Sequence, residues 1–417
     1  MTHTRTALVV GGGIAGPVTA MALQKAGIEA TVYEAHHDTA DTVGGGLSIA
    51  PNGLNALGVL DADQVVQQIG EPMTAMVLQS WTGKRLGEFG SPPELPTMQF
   101  VWRPDLYRAL YAETTRRGIQ ITHGRRLVDV TETAEAVTAH FADGTSASAD
   151  VLVGADGLRS ATRSLIAPDA PGPRYTGLIS FGAQLARTGL ASTGGKMHMV
   201  FGRRAFFGYQ ILDDGSGGWF VNLPHRTPMT TAEARRTTAE QWLAVLREAF
   251  AVDRAPALEL LLRTEPADLL IVGPMEDLPT VPTWSRGRSV LVGDAAHAPS
   301  SSSGQGASLA IESAVQLARC LRDLPYAEAF TAYERLRRTR VEKTIAMGAR
   351  SNRDKAAGPL GRMLRDLLMP VAMKFVKPEK FAWQFDYRID WDQPVPAAGS
   401  PVPAERVGSE QLARRRV

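Results

Sequence analysis

ALVVGGGIAGPVTAMALQKAGIEATVYE, residues 7–34, is the stretch whose reading decides the fold. Residues 7–10 are an apolar run of the kind found in a buried parallel strand. Gly11, Gly12 and Gly13 make a turn. Ile14, Val18, Met21 and Ala22 then share one face at helical spacing. Pro17 falls in the first turn of that helix, where its missing N–H costs little. Gly27 ends the helix, residues 30–33 are the next strand, and Glu34 lies at its end. Gly11, Gly13 and Gly16 form G-x-G-x-x-G. The first glycine permits the tight turn, the second lets backbone approach a pyrophosphate, and the third lets helix and strand pack closely. Ile14 and Ala15 stand where the helix opens, so free N–H groups and a partial positive charge face any phosphate there. Glu34 sits about 20 residues on, where a ribose-binding carboxylate belongs. A glycine turn of some other α/β protein is the plainer reading, but the strand, helix and acid together favour a dinucleotide.

The far end of the chain narrows this. Residues 289–292 return to the buried-strand pattern and run into Gly293-Asp294, a carboxylate at a strand end able to accept hydrogen bonds from sugar-alcohol hydroxyls. Ser303-Gly304-Gln305-Gly306 follows, then a helix from about Ala307. The N-terminus of that helix suits the partly anionic pyrimidine edge of a reduced flavin. Between the two ends, residues 102–118 read as a helix entered through Arg103-Pro104-Asp105. Residues 137–141 and 146–153 read as a hairpin around Asp143-Gly144. Residues 179–186, 197–201, 206–212 and 219–223 are strand-like, and a helix is expected over 232–250. Helices are expected again over 306–324, 326–350 and 360–381, and a proline-rich tail over 395–403.

Composition sets outer limits. The chain of 417 residues is 44% hydrophobic and 21% charged, with net charge +2, which offers no electrostatic argument for nucleic acid. One cysteine, Cys320, allows no intrachain disulfide and no thiolate metal cage, and the eight histidines are scattered. No uncharged run is long enough to span a bilayer. A cytoplasmic protein, monomer or homodimer, with no bound metal is expected.

Three motifs, GGGIAG at 11–16, GADGLRS at 154–160 and GDAAHAPSSSSGQGASLAIESA at 293–314, resemble in order and spacing the single-component FAD-dependent aromatic hydroxylases, the para-hydroxybenzoate hydroxylase-like family, which includes tetracycline-inactivating and polyketide-hydroxylating members. The resemblance covers roughly residues 5–350. It implies an α/β fold: a Rossmann-like FAD-binding domain, an inserted mainly antiparallel β-sheet substrate domain, and C-terminal helices. The expected division is 1–72, 97–173 and 280–350 for FAD, 73–96 and 174–279 for substrate, and 351–417 for the C-terminal helical segment and tail. It implies Asp294 on the ribityl chain and Gly293 beside it. Gly304, Gln305, Gly306 and Ala307 would lie at the isoalloxazine ring, with Pro299 packed near it. Arg103 would reach toward the phosphate and ribityl region, and Asp156 and Gly157 toward the pyrophosphate or a nicotinamide. Gly44, Gly45 and Gly46 would form a pliable loop beside the flavin. Ser308 and Glu312 depart mildly from the family pattern, and the serines at 300–303 replace a more usual proline- and phenylalanine-containing stretch.

The implied chemistry is a cycle in which NADPH or NADH reduces FAD, O2 adds to give a hydroperoxide, and one oxygen passes by hydroxylation or epoxidation to a bulky aromatic or polycyclic small molecule, a natural product or antibiotic. The cofactor supplies the hard chemistry, so no acid–base dyad need be visible. Pocket candidates are Pro299, Gln184, Tyr209 and Asn222, although most of Phe181, Gln184, Met197, Phe207, Tyr209, Trp219 and Asn222 are expected in the core, because strand alternation turns only some to a pocket. Two rivals stand. A flavin-dependent halogenase is suggested by residues 218–224, GWFVNLP, with Val221 in place of a second tryptophan and only Lys84, a poor candidate, for the essential lysine. The other is a protein that holds FAD or a ligand without redox turnover. Plainer roles fall to His297 (packing under the flavin loop), to His36-His37-Asp38 (a surface loop), to residues 300–303 (a solvated mobile loop) and to 360–381 (a helix packed over both domains, rather than a membrane-surface helix).

Overall fold

The computed structural model describes residues 4–37, 45–355, 358–375 and 379–395. Gly44, Asp38 and the tail from 396 onward lie outside the described residues. The apolar run at the N-terminus is strand Thr6–Val10, at the centre of a six-stranded sheet. On one side it pairs in parallel with Glu29–Tyr33 and then Gln120–Thr122. On the other come Val151–Gly154, Ser289–Leu291 and the short antiparallel edge Ser285–Arg286. The helices Ala15–Lys25 and Gly306–Asp323 cover this sheet, and their buried residues join the strands in one core. Both helices therefore begin at the same edge, where the parallel strands end.

The expected hairpin strand over 146–153 is two strands. Ser146–Ala149 pairs antiparallel with Val137–Phe141, whereas Val151–Gly154 leaves for the six-stranded sheet. Asp150 makes the break: its carboxylate accepts from the backbone N–H groups of Arg5 (2.7 Å) and Thr6 (2.9 Å) and ties the crossover down.

A seven-stranded sheet carries the middle of the chain. Its order is Leu270–Asp277, Arg174–Leu185, Gly217–Pro224, Phe206–Ile211, Lys196–Phe201, Ala75–Ser80 and Arg85–Gly90. Pairing is antiparallel except between Lys196–Phe201 and Ala75–Ser80. One face is buried by helix Ala239–Phe250, whose Trp242, Leu243, Leu246 and Phe250 meet Phe181, Phe207, Tyr209, Trp219 and Val221. The single helix expected over 232–250 is broken in two, Thr231–Ala234 and Ala239–Phe250. Thr230 with Glu233, and Thr238 with Gln241, each close a capping box that starts a new helix.

A small sheet of Gly46–Ile49, Met98–Trp102 and Glu71–Met73 lies among these elements. Helix Tyr326–Lys355 packs along Gly306–Asp323 and is followed by Pro359–Phe375 and Glu379–Phe385. Pro359–Phe375 lies along strand Arg85–Gly90 at the edge of the seven-stranded sheet, where Lys84 Nζ donates to the Asp366 carbonyl (3.0 Å). Leu360, Met363, Leu367 and Phe375 are exposed. The helix expected over 360–381 is two helices: Pro359–Phe375 lies on the sheet edge, and Glu379–Phe385 packs toward helices Pro51–Gly58 and Tyr326–Lys355. Among the described residues no helix is long and apolar enough to cross a membrane.

Candidate active site

At the dinucleotide end each glycine has a separate cause. Gly11 has φ +103°, and a Cβ there would lie 2.6 Å from the Ala155 carbonyl oxygen. A Cβ on Gly16 would lie 1.9 Å from the Gly11 carbonyl oxygen, so the helix can approach the turn only with glycine at that position. Gly13 differs: a Cβ there would meet nothing within 4 Å. The space beside Gly13 is open, as the backbone approach of a pyrophosphate requires. The helix begins at Ala15 with Ile14 at its N-cap, no capping side chain and no acid in its first turn, which leaves its N–H groups to a ligand. Glu34 accepts from Gly12 N–H (2.6 Å) and His36 N–H (2.8 Å), so its carboxylate is fixed beside the glycine turn at the end of strand Glu29–Tyr33.

Gly293 joins the two ends of the predicted site. Its φ is +61°, and a Cβ there would lie 2.9 Å from the Ala15 Cβ and 3.2 Å from the Ala310 Cβ. The strand end of Ser289–Leu291 is thus threaded between the starts of both covering helices. Asp294, the next residue, is surrounded by protein and yet keeps an exposed surface, the combination found on the wall of a deep cleft. Enclosure pushes its carboxyl pKa upward, and the Arg103 guanidinium pulls it back. Arg103 is itself exposed, and its N–H donates to the Gly45 carbonyl (3.2 Å).

At the other end, Gly304 takes a left-handed conformation (φ +63°), and its carbonyl accepts from Ser48 Oγ at 3.5 Å. Gly306 stands with its open side toward Pro299, 3.9 Å away. Gln305 caps the Gly306–Asp323 helix without a side-chain bond to it. Its Oε1 instead accepts from Asn52 Nδ2 (3.0 Å), and Asn52 also donates to Glu312 (2.6 Å). Gly45 is thus tied to Arg103, Gly304 to Ser48 two residues after Gly46, and Gly306 to Pro299. Gly45 also reaches the seven-stranded sheet, since a Cβ there would lie 3.4 Å from Val272.

Other expected residues fall elsewhere. The Asp156 carboxylate holds Thr162 N–H (2.9 Å) and Oγ1 (3.0 Å) and the Ser160 hydroxyl, and so is engaged at the start of helix Ala161–Ile166. Gly157 (φ +76°) meets nothing within 4 Å. Tyr209 is on the helix-covered face of the seven-stranded sheet. Its hydroxyl lies 3.2 Å from His198 Nδ1, and burial pushes its pKa up to about 12. It is a core residue and not a pocket residue, because Phe207, Tyr209 and Ile211 share one face and Phe206, Gly208 and Gln210 the other. Asn222 is on that other face with Phe206 and Ser180, its cross-strand neighbours. Gln184 is exposed, on the face of Asn222 but toward the opposite end of the strand.

His297 is 2% exposed, bonded to Ser313 Oγ at 2.8 Å, and held neutral with a pKa near 3, first by burial and then by Arg337. This is the packing role expected of it. Of the loop of serines expected to be solvated, Ser301 is exposed and Ser302 and Ser303 are half-buried, but Ser300 is 1% exposed and hydrogen-bonded to Asn352 of the helix Tyr326–Lys355, at 3.0 Å from its amide nitrogen. A residue the sequence reading missed stands beside it. Lys355 Nζ donates to Asn222 Oδ1 (2.7 Å) and Ser302 Oγ (2.9 Å) and lies over the Phe206 ring, 4.3 Å from its centroid. It ends a 30-residue helix crowded with arginine and lysine, and spacing alone gave no sign that this one turns inward.

Comparison with known proteins agrees with this geometry. Residues 4–347 match the model of the FAD binding domain family. The 3-amino-4-hydroxybenzoate 2-monooxygenase PtmB3 of Streptomyces platensis is 33% identical over 406 residues, covering 91% of this chain and 95% of that protein. The FAD-dependent urate hydroxylase of Klebsiella pneumoniae is 29% identical over 358 residues, covering 84% and 90%. The crystal structure of Klebsiella pneumoniae HpxO complexed with FAD and uric acid superposes with a TM-score of 0.76 at 24% identity, covering 90% of this chain and 94% of that one. That likeness carries the fold: a Rossmann-like parallel sheet, a largely antiparallel second sheet and C-terminal helices. With a family match over most of its length and a relative one-third identical, the chain belongs to the FAD binding domain family and is a flavoprotein of the FAD-dependent hydroxylase and monooxygenase group.

Proposed function

We propose that this chain hydroxylates a small aromatic or polycyclic molecule, using NADPH or NADH and O2. The observation that supports this reading is the join between the proposed flavin end and the seven-stranded sheet. Lys355 bonds both Ser302, in the turn that leads to Gly304, Gln305 and Gly306, and Asn222, on the sheet face not covered by helix Ala239–Phe250. Residues 11–16, Glu34 and Arg103 would hold the adenosine diphosphate portion of FAD, Asp294 its ribityl chain, and residues 304–307 with Gly45 and Gly46 its ring. The bound FAD supplies the redox chemistry. Residues 73–96 and 174–279 would act as the substrate unit, since strands Ala75–Ser80 and Arg85–Gly90 extend the sheet built from 174–277. Phe206, Phe220, Trp102 and Phe100 give this region flat apolar surfaces suited to a planar ring. The two relatives named above are, by name, a urate hydroxylase and an aminohydroxybenzoate monooxygenase, both acting on planar rings that carry ionisable groups.

The test is NAD(P)H consumption by the FAD-loaded protein across hydroxylated aromatics and fused-ring phenols, with the mass of each product. Substrate-stimulated consumption and a gain of one oxygen support the proposal. A gain of chlorine or bromine in the presence of halide would replace it with a halogenase. Absence of stimulation by every compound would favour a protein that only binds.

A further inference from the structure

Lys355 keeps some solvent exposure although protein encloses its Nζ, and its bonds to Asn222 and Ser302 join the seven-stranded sheet to the turn before Gly304. We infer that Lys355 is the group that takes the hydroxyl proton of the substrate in this chain and then holds the resulting oxygen anion against its ammonium group. The inference rests on the reading of this region as the active site of an aromatic hydroxylase.

The geometry is specific. Two of the three ammonium N–H directions are taken by Asn222 Oδ1 on strand Gly217–Pro224 and by Ser302 Oγ in the turn Ser301–Ser303, at 2.7 and 2.9 Å. The third is left for a ligand oxygen. The Phe206 ring beneath Nζ and the Asn222 carbonyl oxygen both favour the charged form once a proton arrives. Asn222 is itself held, its Nδ2 donating to Ser180 Oγ at 3.2 Å, so the acceptor cannot swing away freely.

The groups in contact with Lys355 Nζ are neutral: Asn222 and Phe206 from the sheet and Ser302 from the loop. Arg353 and Asp354, its charged neighbours on its own helix, are exposed. Among the described residues no carboxylate and no second cation bears on it, and burial alone pulls its pKa down to about 7. An ordinary surface lysine, ionised throughout the neutral range, cannot accept a proton there. This one can.

The step balances simply. The O–H bond of the substrate breaks, its proton passes to Lys355 Nζ, and the electron pair stays on the oxygen and delocalises into the ring. A ring carrying that charge is a better nucleophile at its ortho and para carbons, which is what an electrophilic oxygen donor needs. No oxidant or reductant is consumed in the proton transfer itself. The ammonium returns the proton when the product leaves.

The test uses FAD-loaded protein and 4-nitrophenol as an optical probe that needs no turnover. In the wild type the bound probe should show its phenolate absorption at a pH about one unit or more below that of the free probe. In Lys355→Met that advantage should disappear. Lys355→Arg keeps the charge and its bonds but cannot be deprotonated in this range. With a phenol that is turned over, kcat/KM of the wild type should rise as pH increases through about 7, and the arginine variant should lack that rise while retaining its flavin. If both variants bind the probe with the wild-type ionisation profile and keep the break in kcat/KM, Lys355 is only a strut and the inference fails. If instead the wild type turns over no phenol at all, the functional reading fails, while the optical titration still reports on Lys355.

Discussion

Two glycines three positions apart in the chain, Gly13 and Gly16, separate structure from ligand at the scale of single residues. Alanine at Gly16 would drive a methyl group into the Gly11 carbonyl, so Gly16→Ala should cost about 1–3 kcal/mol of stability and lower the urea midpoint. Alanine at Gly13 meets no protein atom. Gly13→Ala should leave the urea midpoint of the apoprotein within ~0.5 kcal/mol of wild type but weaken FAD binding, read by fluorescence titration of the apoprotein with FAD. Asp294→Ala should purify with little flavin, and full flavin occupancy would contradict its place on the ribityl chain. At this scale the sequence was legible wherever a residue is required by backbone geometry, as at Gly11, Gly16 and Gly293. Side-chain direction was less so. Tyr209 and Asn222 both lay on expected strands, and only strand register shows that one faces the helix-covered core and the other the opposite side of the sheet. Lys355 was invisible for the same reason, as one basic residue among many on a polar helix.

Helices and strands hold the site through a buried polar cluster. Glu312, on the helix that starts at the flavin end, is fully buried and pairs with Arg337 (2.6 Å) and Arg340 (2.8 Å) of the following helix, while Asn52 ties it to Gln305. Burial alone would raise the Glu312 pKa, but the Arg340 and Arg337 guanidinium groups reverse this and hold it at about 2. Because the folded value lies below the unfolded one, this pairing stabilises fully above about pH 4.5 and is lost as pH falls through 2. Glu312→Gln should cost about 3–5 kcal/mol at neutral pH by stranding two arginines, and it should flatten the acid limb of stability measured by urea unfolding from pH 5 to 2. A neighbouring contact positions the loop directly. Gly348 packs against Ser300 and Ser303, and a Cβ there would lie 3.2 Å from Ser300 Oγ and 3.3 Å from Ser303 Cβ. Gly348→Val should push that loop off its seat, lower kcat/KM and leave FAD binding at residues 11–16 in place, measured by steady-state kinetics beside flavin content. Periodicity showed strands Thr6–Val10 and Glu29–Tyr33, the strands over 179–223 and the long helices, but not the short elements between residues 46 and 102 or strand Leu270–Asp277. Nor did it show the breaks. Asp150 divides one expected strand because it caps backbone N–H groups from 145 residues away, and two capping boxes divide one expected helix.

For the whole molecule, the parallel sheet brings residues 11–16 to the edge where its strands finish, and in the proposed site a long cofactor would run from there to residues 304–306. The seven-stranded sheet turns its helix-covered face to its own core and leaves the Phe206, Phe220 and Asn222 face toward the cofactor side. The resemblance of three short motifs was enough to anticipate the fold, because they sit at the ends of strands Thr6–Val10, Val151–Gly154 and Ser289–Leu291. The substrate side carried no comparable signal, since an apolar wall can be built from many residue combinations. The central claim is that oxygen from O2 enters an aromatic product. Turnover of the FAD-loaded protein with NAD(P)H, its aromatic substrate and 18O-labelled O2 in unlabelled water tests it most directly. The account predicts a product carrying one labelled oxygen atom; an unlabelled product, or one labelled only when the water is labelled, would contradict it.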